Sequence, residues 1–311
     1  MSTCILSTSP LVGSALAELG TRFPVLRLAP FRSAEWNAAL SEAQALVVVV
    51  SEPITEADLD AAPKLKAVGT YSVGVNHLPV EACLARGIAV VSTPGVLTDA
   101  TADIALALLM TLTRRVAEGE ALVRTGAWIG WAPDQLLGLG LAGKACGILG
   151  SGPIGRAFAR RVWALGMTPL FWDREGRGGE VDFSAGRAPR LPLAELLARS
   201  TVLSLHCPLT EQTRGVIDRS ALEQLPEGAV IINTARGGLL DENAAIDRLE
   251  AGLLGGVGLD VYEGEPHFNA RWLQAPRTVL LPHLGSATVE TREAMARLLC
   301  DGLATALSPT W

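Results

Sequence analysis

The residues of this sequence best suited to chemistry are gathered in a few short phrases. One is GILGSGPIGRAF, where Gly150, Gly152 and Gly155 form the pattern GxGxxG directly after an apolar run and directly before a segment of helical period. The first glycine permits a tight turn, the second lets a pyrophosphate approach the backbone, and the third allows close helix-to-strand packing. Pro153 and Ile154 open the helix, whose free N–H groups and positive dipole end suit phosphates. Eighteen residues after Gly155 stands Asp173, at the end of the next expected strand in FWDRE. A carboxylate there accepts hydrogen bonds from the adenosine ribose hydroxyls and repels a 2′-phosphate, which favours NAD(H). Arg174 follows at once, and its guanidinium suits a 2′-phosphate, so NADP(H) stays open. Asp173 would also serve as a helix or turn cap.

Three later segments hold polar residues where strands are expected to end: NTARGGLLDE (233–242), GLDVYEGEP (258–266) and LLPHLGSAT (280–288). In open α/β sheets ligands bind outside the carboxyl ends of the strands, so these three can converge on one crevice.

The elements that position these phrases follow from hydrophobic periodicity. Short aliphatic runs alternate with helical segments, the pattern of parallel sheets with crossover helices. Strands are expected at 4–7, 24–28, 46–50, 66–70 and 89–92, with helices such as 11–19, 56–61 and 80–86 between most of them. From Thr98 to about Arg124 apolar residues keep helical spacing, with no Gly or Pro before Gly119. A second series begins at Ala145, with strands at 145–149, 168–172, 202–205, 230–233, 256–260 and 279–281, and residues 289–307 read as one closing helix. Residues 175–189, rich in Gly and Arg, read as a surface loop. The expected fold class is α/β, with two doubly wound parallel-sheet domains. A Rossmann dinucleotide-binding domain over 98–286 is inserted into a smaller flavodoxin-like domain made of 1–97 and 287–311.

Composition narrows the function classes. Of 311 residues 49% are hydrophobic and 19% charged, a chain able to bury large cores. A net charge of −6, with basic residues scattered singly or in pairs, argues against a nucleic-acid partner. The longest apolar runs, 45–50 and 104–110, fall far short of the roughly 18 residues that a membrane span needs. The opening MSTCILSTSP has neither a basic start nor a long apolar stretch, so a cytoplasmic protein is expected. Five cysteines, odd in number and never spaced as CxxC, indicate reduced thiols and no metal site.

With these phrases in order, the chain resembles the NAD-dependent D-2-hydroxyacid dehydrogenase family along nearly its whole length. The resemblance is carried by YSVGVNHLPVEAC, TPGVLTDATADIALALL, the glycine loop, SLHCPLT and the three segments above. TPGVLTDATAD, GWAP and LLPHLGSAT are most similar to the glyoxylate and hydroxypyruvate reductase branch. The resemblance implies an oxidoreductase that reduces small 2-oxo acids to D-2-hydroxy acids. In it His283 is the general acid and base, Glu265 its carboxylate partner, and Arg236 the grip on the substrate carboxylate. Val73 and Gly74 would offer backbone N–H groups to that carboxylate. Thr101, Cys207, Thr234, Ala235, Asp260, His283 and Ser286 would meet the cofactor, Asp260 at the nicotinamide carboxamide. Histidine suits proton transfer in both directions because its ordinary pKa is near neutrality, and arginine supplies the fork that lysine lacks. Taken singly, His283 also reads as a strand-end histidine, Glu265 as a loop acid, Arg236 as a surface charge and Cys207 as a packed core thiol. His77, His206 and His267 lack such companions.

The resemblance also bears on the substrate: the family's phosphoglycerate enzymes carry an arginine in the loop near 49–54, whereas this chain reads VVSEPI, with Glu52 and no basic residue, so a small uncharged tail is expected to fit better than a phosphate. The last family phrase ends some twenty residues before Trp311, so an appended regulatory domain is not expected. Trp128 and Trp131 of GAWIGWAP suit either core packing or the homodimer interface that the family implies. Two other readings stand beside the leading one. Oxidation of another D-2-hydroxy acid or of phosphite would use the same scaffold, and a non-catalytic NAD(H)-sensing protein would use the fold alone.

Overall fold

The computed structural model describes residues 4–10, 25–174 and 178–308. The expected helix over 11–19 lies outside them. The chain divides into two compact units, residues 1–97 with 286–311 and residues 98–285. The second junction falls one residue before the expected one.

In the first unit Cys4–Ser7 (β1), Val25–Leu28 (β2), Ala45–Val48 (β3), Ala67–Thr70 (β4) and Ala89–Val91 (β5) form a parallel sheet in the order β2-β1-β3-β4-β5. That is the flavodoxin-like order. The residues of β1, β3 and β4 are buried throughout, as expected of parallel strands covered on both faces. Leu6, Leu46, Val48 and Val68 pack with Trp36 of helix α1 (Ala34–Leu40), Leu59 of α2 (Glu56–Asp60) and Cys83 of α3 (Val80–Ala85).

The second unit begins with α4 (Thr98–Thr113), which buries Thr101, Ala105, Leu108 and Leu112 along one stripe. The single helix expected to reach Arg124 breaks here. At Arg115 the backbone turns left-handed with φ 52°, and a separate helix α5 (Val116–Arg124) follows. The returning chain causes the break, because the N–H of Leu139 takes the Thr113 carbonyl at 2.7 Å, which a continuing helix would have used. None of the residues of α5 is buried, so packing does not oppose the change of direction.

Six parallel strands follow: β6 (Ala145–Leu149), β7 (Thr168–Trp172), β10 (Val202–Leu205), β11 (Ala229–Asn233), β12 (Leu254–Leu259) and β13 (Thr278–Leu280), ordered β13-β12-β11-β10-β6-β7. One face packs on α4 and α6 (Pro153–Ala164) through Leu108, Leu109, Phe158 and Val162. The other packs on α7 (Leu193–Arg199), α8 (Arg219–Glu223) and α9 (Glu242–Glu250) through Leu196, Leu222 and Ile246, with Trp272 of the short 3-10 turn Ala270–Leu273 in the same cluster. The chain leaves β6 for β7 on one side and resumes at β10 on the other, so the switch point lies between β6 and β10. Residues 175–189 are not wholly loop. Glu180–Asp182 (β8) and Arg187–Pro189 (β9) pair as an antiparallel hairpin that buries Val181, Phe183 and Ala188. A single parallel bridge between Phe171 and Arg190 then sets the end of β9 beside β7, where a third strand would lie in the usual Rossmann order. The last helix, α10 (Val289–Leu307), belongs to the first unit and lies against β4 and β5.

Candidate active site

Gly150 ends β6 with φ 103°, a conformation that side chains rarely adopt, and a Cβ there would stand 2.9 Å from the carbonyl oxygen of His206. A Cβ on Gly155 would stand 2.0 Å from the Gly150 carbonyl oxygen, so the helix α6 lies directly against the turn. Above Gly152 the space is open, and α6 starts there with no side-chain cap. This is the arrangement in which a pyrophosphate can reach the free N–H groups of a helix start.

Beside this turn is a cavity of about 290 Å³ lined by the glycine loop, Asp173, His206, Cys207, Pro208 and Thr213, with Arg156, Arg174 and Arg190. Asp173 is not a lone acid in it. Its carboxylate accepts from the N–H and hydroxyl of Ser151 at 2.7 and 2.5 Å, and from Nε of Arg190 at 2.7 Å. Burial works against ionisation, yet those bonds and the Arg190 charge hold the carboxyl below its ordinary range. His206, just past β10, is pushed down to about 3 by burial, so its ring is neutral at physiological pH. Burial pushes the Cys207 thiol up to about 11, consistent with an apolar wall.

Whether a nicotinamide cofactor fits can be tested on buried polar atoms without partners. Nδ1 of His206 and Oγ1 of Thr234 are two of these, and they follow the carboxyl ends of β10 and β11. Together with the open space above Gly152 they match a polar ligand laid across the strand ends.

A histidine–carboxylate pair stands past the ends of β12 and β13. Nδ1 of His283 and Oε2 of Glu265 are 2.8 Å apart, which leaves Nε2 as the ring nitrogen available to a substrate. His283 has φ 57°, a left-handed backbone that histidine tolerates better than most residues. The turn is fixed by Asp260, wholly buried, whose two oxygens accept the N–H groups of Leu284 at 2.6 Å and Gly285 at 2.8 Å. The hydroxyl of Thr101 donates to the Gly285 carbonyl at 2.9 Å and holds the same turn. Burial would raise the Glu265 carboxyl, but His283, the Tyr262 N–H and Arg236 outweigh it and the net direction is down. For Asp260 burial prevails and the direction is up.

Arg236 stands just past β11. Asn233 shapes its turn by donating to the Arg236 carbonyl at 2.9 Å and accepting from the Ala235 N–H at 3.0 Å. A Cβ on Gly237 would fall 1.9 Å from the Tyr262 carbonyl carbon, so the arginine turn presses on the loop that carries Glu265. Glu242, nearly buried at the start of α9, accepts the Glu263 N–H at 2.9 Å and pins that loop from beneath. The Arg236 side chain is half-buried beside Glu265, and its Nη1 donates to the Ala235 carbonyl at 2.7 Å. Asn233 and Glu242 were not singled out from the sequence. Asn233 carries the signal of an Asx turn at a strand end, whereas Glu242 reads only as a first-turn helix acid.

In the first unit Val73 and Gly74 lie on the loop after β4. Thr70 Oγ1 is 2.8 Å from Nε2 of His77 and 2.9 Å from the Ser72 hydroxyl, which donates to the Gly74 carbonyl at 2.7 Å. This chain fixes the loop's shape. Ser286 opens the second segment of the same unit. Trp128 and Trp131 are exposed, Trp131 at 82%, so core packing within the chain is removed as an account of them. No helix among the described residues is long and apolar enough to cross a membrane.

Residues 106–285 match the family described as D-isomer specific 2-hydroxyacid dehydrogenase, NAD binding domain. The chain is 43% identical over 266 residues to a glyoxylate reductase of Thermococcus litoralis, covering 84% of this chain and 80% of that one. It is 36% identical over 301 residues to a glycerate dehydrogenase of Hyphomicrobium methylovorum, covering 96% and 94%. Among solved structures it is similar to a glyoxylate reductase from Paecilomyes thermophila, with TM-score 0.86 at 33% identity over 98% of this chain and 95% of that one.

Proposed function

Because the chain belongs to the D-isomer specific 2-hydroxyacid dehydrogenase family, an oxidoreductase family with an NAD-binding domain, we propose that it reduces glyoxylate to glycolate and hydroxypyruvate to D-glycerate. The observation that carries this reading is the 2.8 Å contact of His283 Nδ1 with Glu265 Oε2, set beside the half-buried guanidinium of Arg236. When bound, the reduced nicotinamide supplies the hydride. Everything else falls to the chain. Arg236 grips the substrate carboxylate and polarises the carbonyl, and Nε2 of His283 gives its proton to the carbonyl oxygen. Glu265 orients the ring through its contact with Nδ1. The N–H groups of Val73 and Gly74 are further donors to the carboxylate. Gly150, Gly152, Pro153, Ile154 and Gly155 serve the pyrophosphate, and Asp173 and Arg174 the adenosine ribose. Thr101, Cys207, Thr234, Ala235, Asp260 and Ser286 line the remainder, where Asp260 keeps lone pairs for the carboxamide beyond those used by Leu284 and Gly285.

The test is loss of reduced-cofactor absorbance with glyoxylate, hydroxypyruvate, pyruvate and phosphohydroxypyruvate, each against NADH and NADPH. Turnover is expected with the first two and least with the phosphorylated acid. Cofactor binding without reduction of any of the four would defeat this reading.

We further assign a homodimer, seated on the exposed Trp128, Ile129 and Trp131. Such an apolar cluster on a surface marks an interface. Light scattering is expected to give a dimer mass for the chain and a lower one for a Trp128→Ser, Trp131→Ser variant; an unchanged dimer would place the interface elsewhere. Five free, buried thiols suit a cytoplasmic setting.

A further inference from the structure

Asp173 and Arg190 form an ion pair at 2.7 Å on the wall of the cavity beside the glycine loop. Among the described residues lining that cavity Asp173 is the one acid, and it shares the lining with three arginines. We propose that Arg190 is the residue that decides cofactor choice, because its pairing with Asp173 cancels the charge that would repel a 2′-phosphate and leaves the site open to NADP(H) as well as NAD(H). The proposal rests on the reading of this cavity as the adenosine end of the cofactor site.

The position of Arg190 is rigid. Its backbone N–H donates to the Gly179 carbonyl at 2.8 Å, and the next N–H, of Leu191, donates to Phe171 of β7 at 2.8 Å. The side chain thus arrives at the end of β7 from the strand-like bridge that follows the hairpin. Its guanidinium reaches Asp173 Oδ2 at 2.7 Å, the Glu180 carbonyl at 3.1 Å and the Ser151 hydroxyl at 3.4 Å. An arginine carries five N–H donors, so donors remain for an added anion. The carboxylate, for its part, has most of its accepting capacity taken by Ser151 and Arg190. An aspartate in this place repels a 2′-phosphate only while its charge is uncompensated, and here the compensation is built into the fold. Arg156 and Arg174 add positive charge on the same wall. Among the described residues Arg156 donates to the Ser151 carbonyl at 2.7 Å and Arg174 to the Thr210 hydroxyl at 3.4 Å.

Equilibrium binding of 2′,5′-ADP and 5′-AMP to the full chain, followed by titration calorimetry, reads this directly and needs no turnover. The chain is expected to bind both, and Arg190→Gln to weaken 2′,5′-ADP by about tenfold or more relative to 5′-AMP. Arg190→Lys, which keeps the charge and loses the fork, is expected to fall between. Asp173→Asn frees Arg190 without removing it and is expected to tighten 2′,5′-ADP. An unchanged ratio in Arg190→Gln, or equal loss of both ligands, overturns the proposal and makes Arg190 a clamp for the hairpin. Weaker 2′,5′-ADP binding in Asp173→Asn overturns it too, independently of how well the arginine variants fold. If the chain takes 5′-AMP and refuses 2′,5′-ADP, the proposal fails and the cofactor reading stands. If it takes neither, both fail.

Discussion

His283→Ala is expected to lower kcat/KM for reduction of a 2-oxo acid by about 10² to 10⁴-fold, the usual worth of a positioned general acid. Affinity for NADH should change little, because the glycine loop and the wall around Asp173 are built from β6, β7 and β10 and owe nothing to this side chain. Alanine at φ 57° also adds backbone strain, so Asn is the cleaner replacement: it tolerates the left-handed region and has no proton to give at neutral pH. The two variants are expected to lose activity alike. Retention of more than about a tenth of the activity by the Asn variant would mean that strain, not proton transfer, explains the loss.

Glu265→Gln separates orientation from charge. The amide keeps an acceptor for His283 Nδ1 and removes the carboxylate. Burial would raise the Glu265 carboxyl, but His283, the Tyr262 N–H and Arg236 hold it below its ordinary range. The acid limb of reduction, where that carboxylate takes up a proton, is therefore expected to lie below the ordinary carboxylate range and to be lost in Glu265→Gln, with a smaller loss at the optimum than for His283→Ala. An acid limb that survives in Glu265→Gln would mean that another group titrates there.

The parts of this site that could be read from the sequence are those whose chemistry is local. A glycine that needs φ 103° and another that leaves no room for a Cβ announce themselves in GxGxxG, and unbroken aliphatic runs mark strands buried on both faces. What could not be read depends on contacts across space. Nothing near Arg115 marks a helix end, because the break comes from Leu139 claiming the Thr113 carbonyl 26 residues before it. The alternation of Val181 and Phe183 lies among glycines and arginines that carry the signal of a loop, so neither the hairpin nor Arg190 stands out in the sequence. Asp260 was expected at the carboxamide, and the structure shows a second task, holding the turn after His283 through two N–H groups. Strand ends gather the site, and short side-chain bonds between neighbouring ends fix its geometry.

Arg236→Lys tests the same geometry from the substrate side. The half-buried guanidinium uses Nη1 on the Ala235 carbonyl, which aims the remaining donors, while Asn233 and Gly237 hold the turn that carries it. Lysine keeps the charge but presents a point, not a fork, and cannot bond Ala235 and a carboxylate in the same plane. Removal of one preorganised donor to a developing oxyanion costs about 10² to 10³-fold in kcat, and loss of the bidentate grip adds to KM. Both parameters are therefore expected to worsen in Arg236→Lys, with NADH affinity preserved. Arg236→Ala is expected to lose more and to recover part of its kcat when guanidinium ion is added, because the cavity it leaves stays bounded by the fixed turn and Glu265. If the lysine enzyme matches the unsubstituted chain in kcat/KM, a simple positive charge suffices and the fork has no role. If instead both variants lose NADH binding, Arg236 supports the cofactor and the substrate carboxylate must be held by other donors, with the N–H groups of Val73 and Gly74 the first to examine.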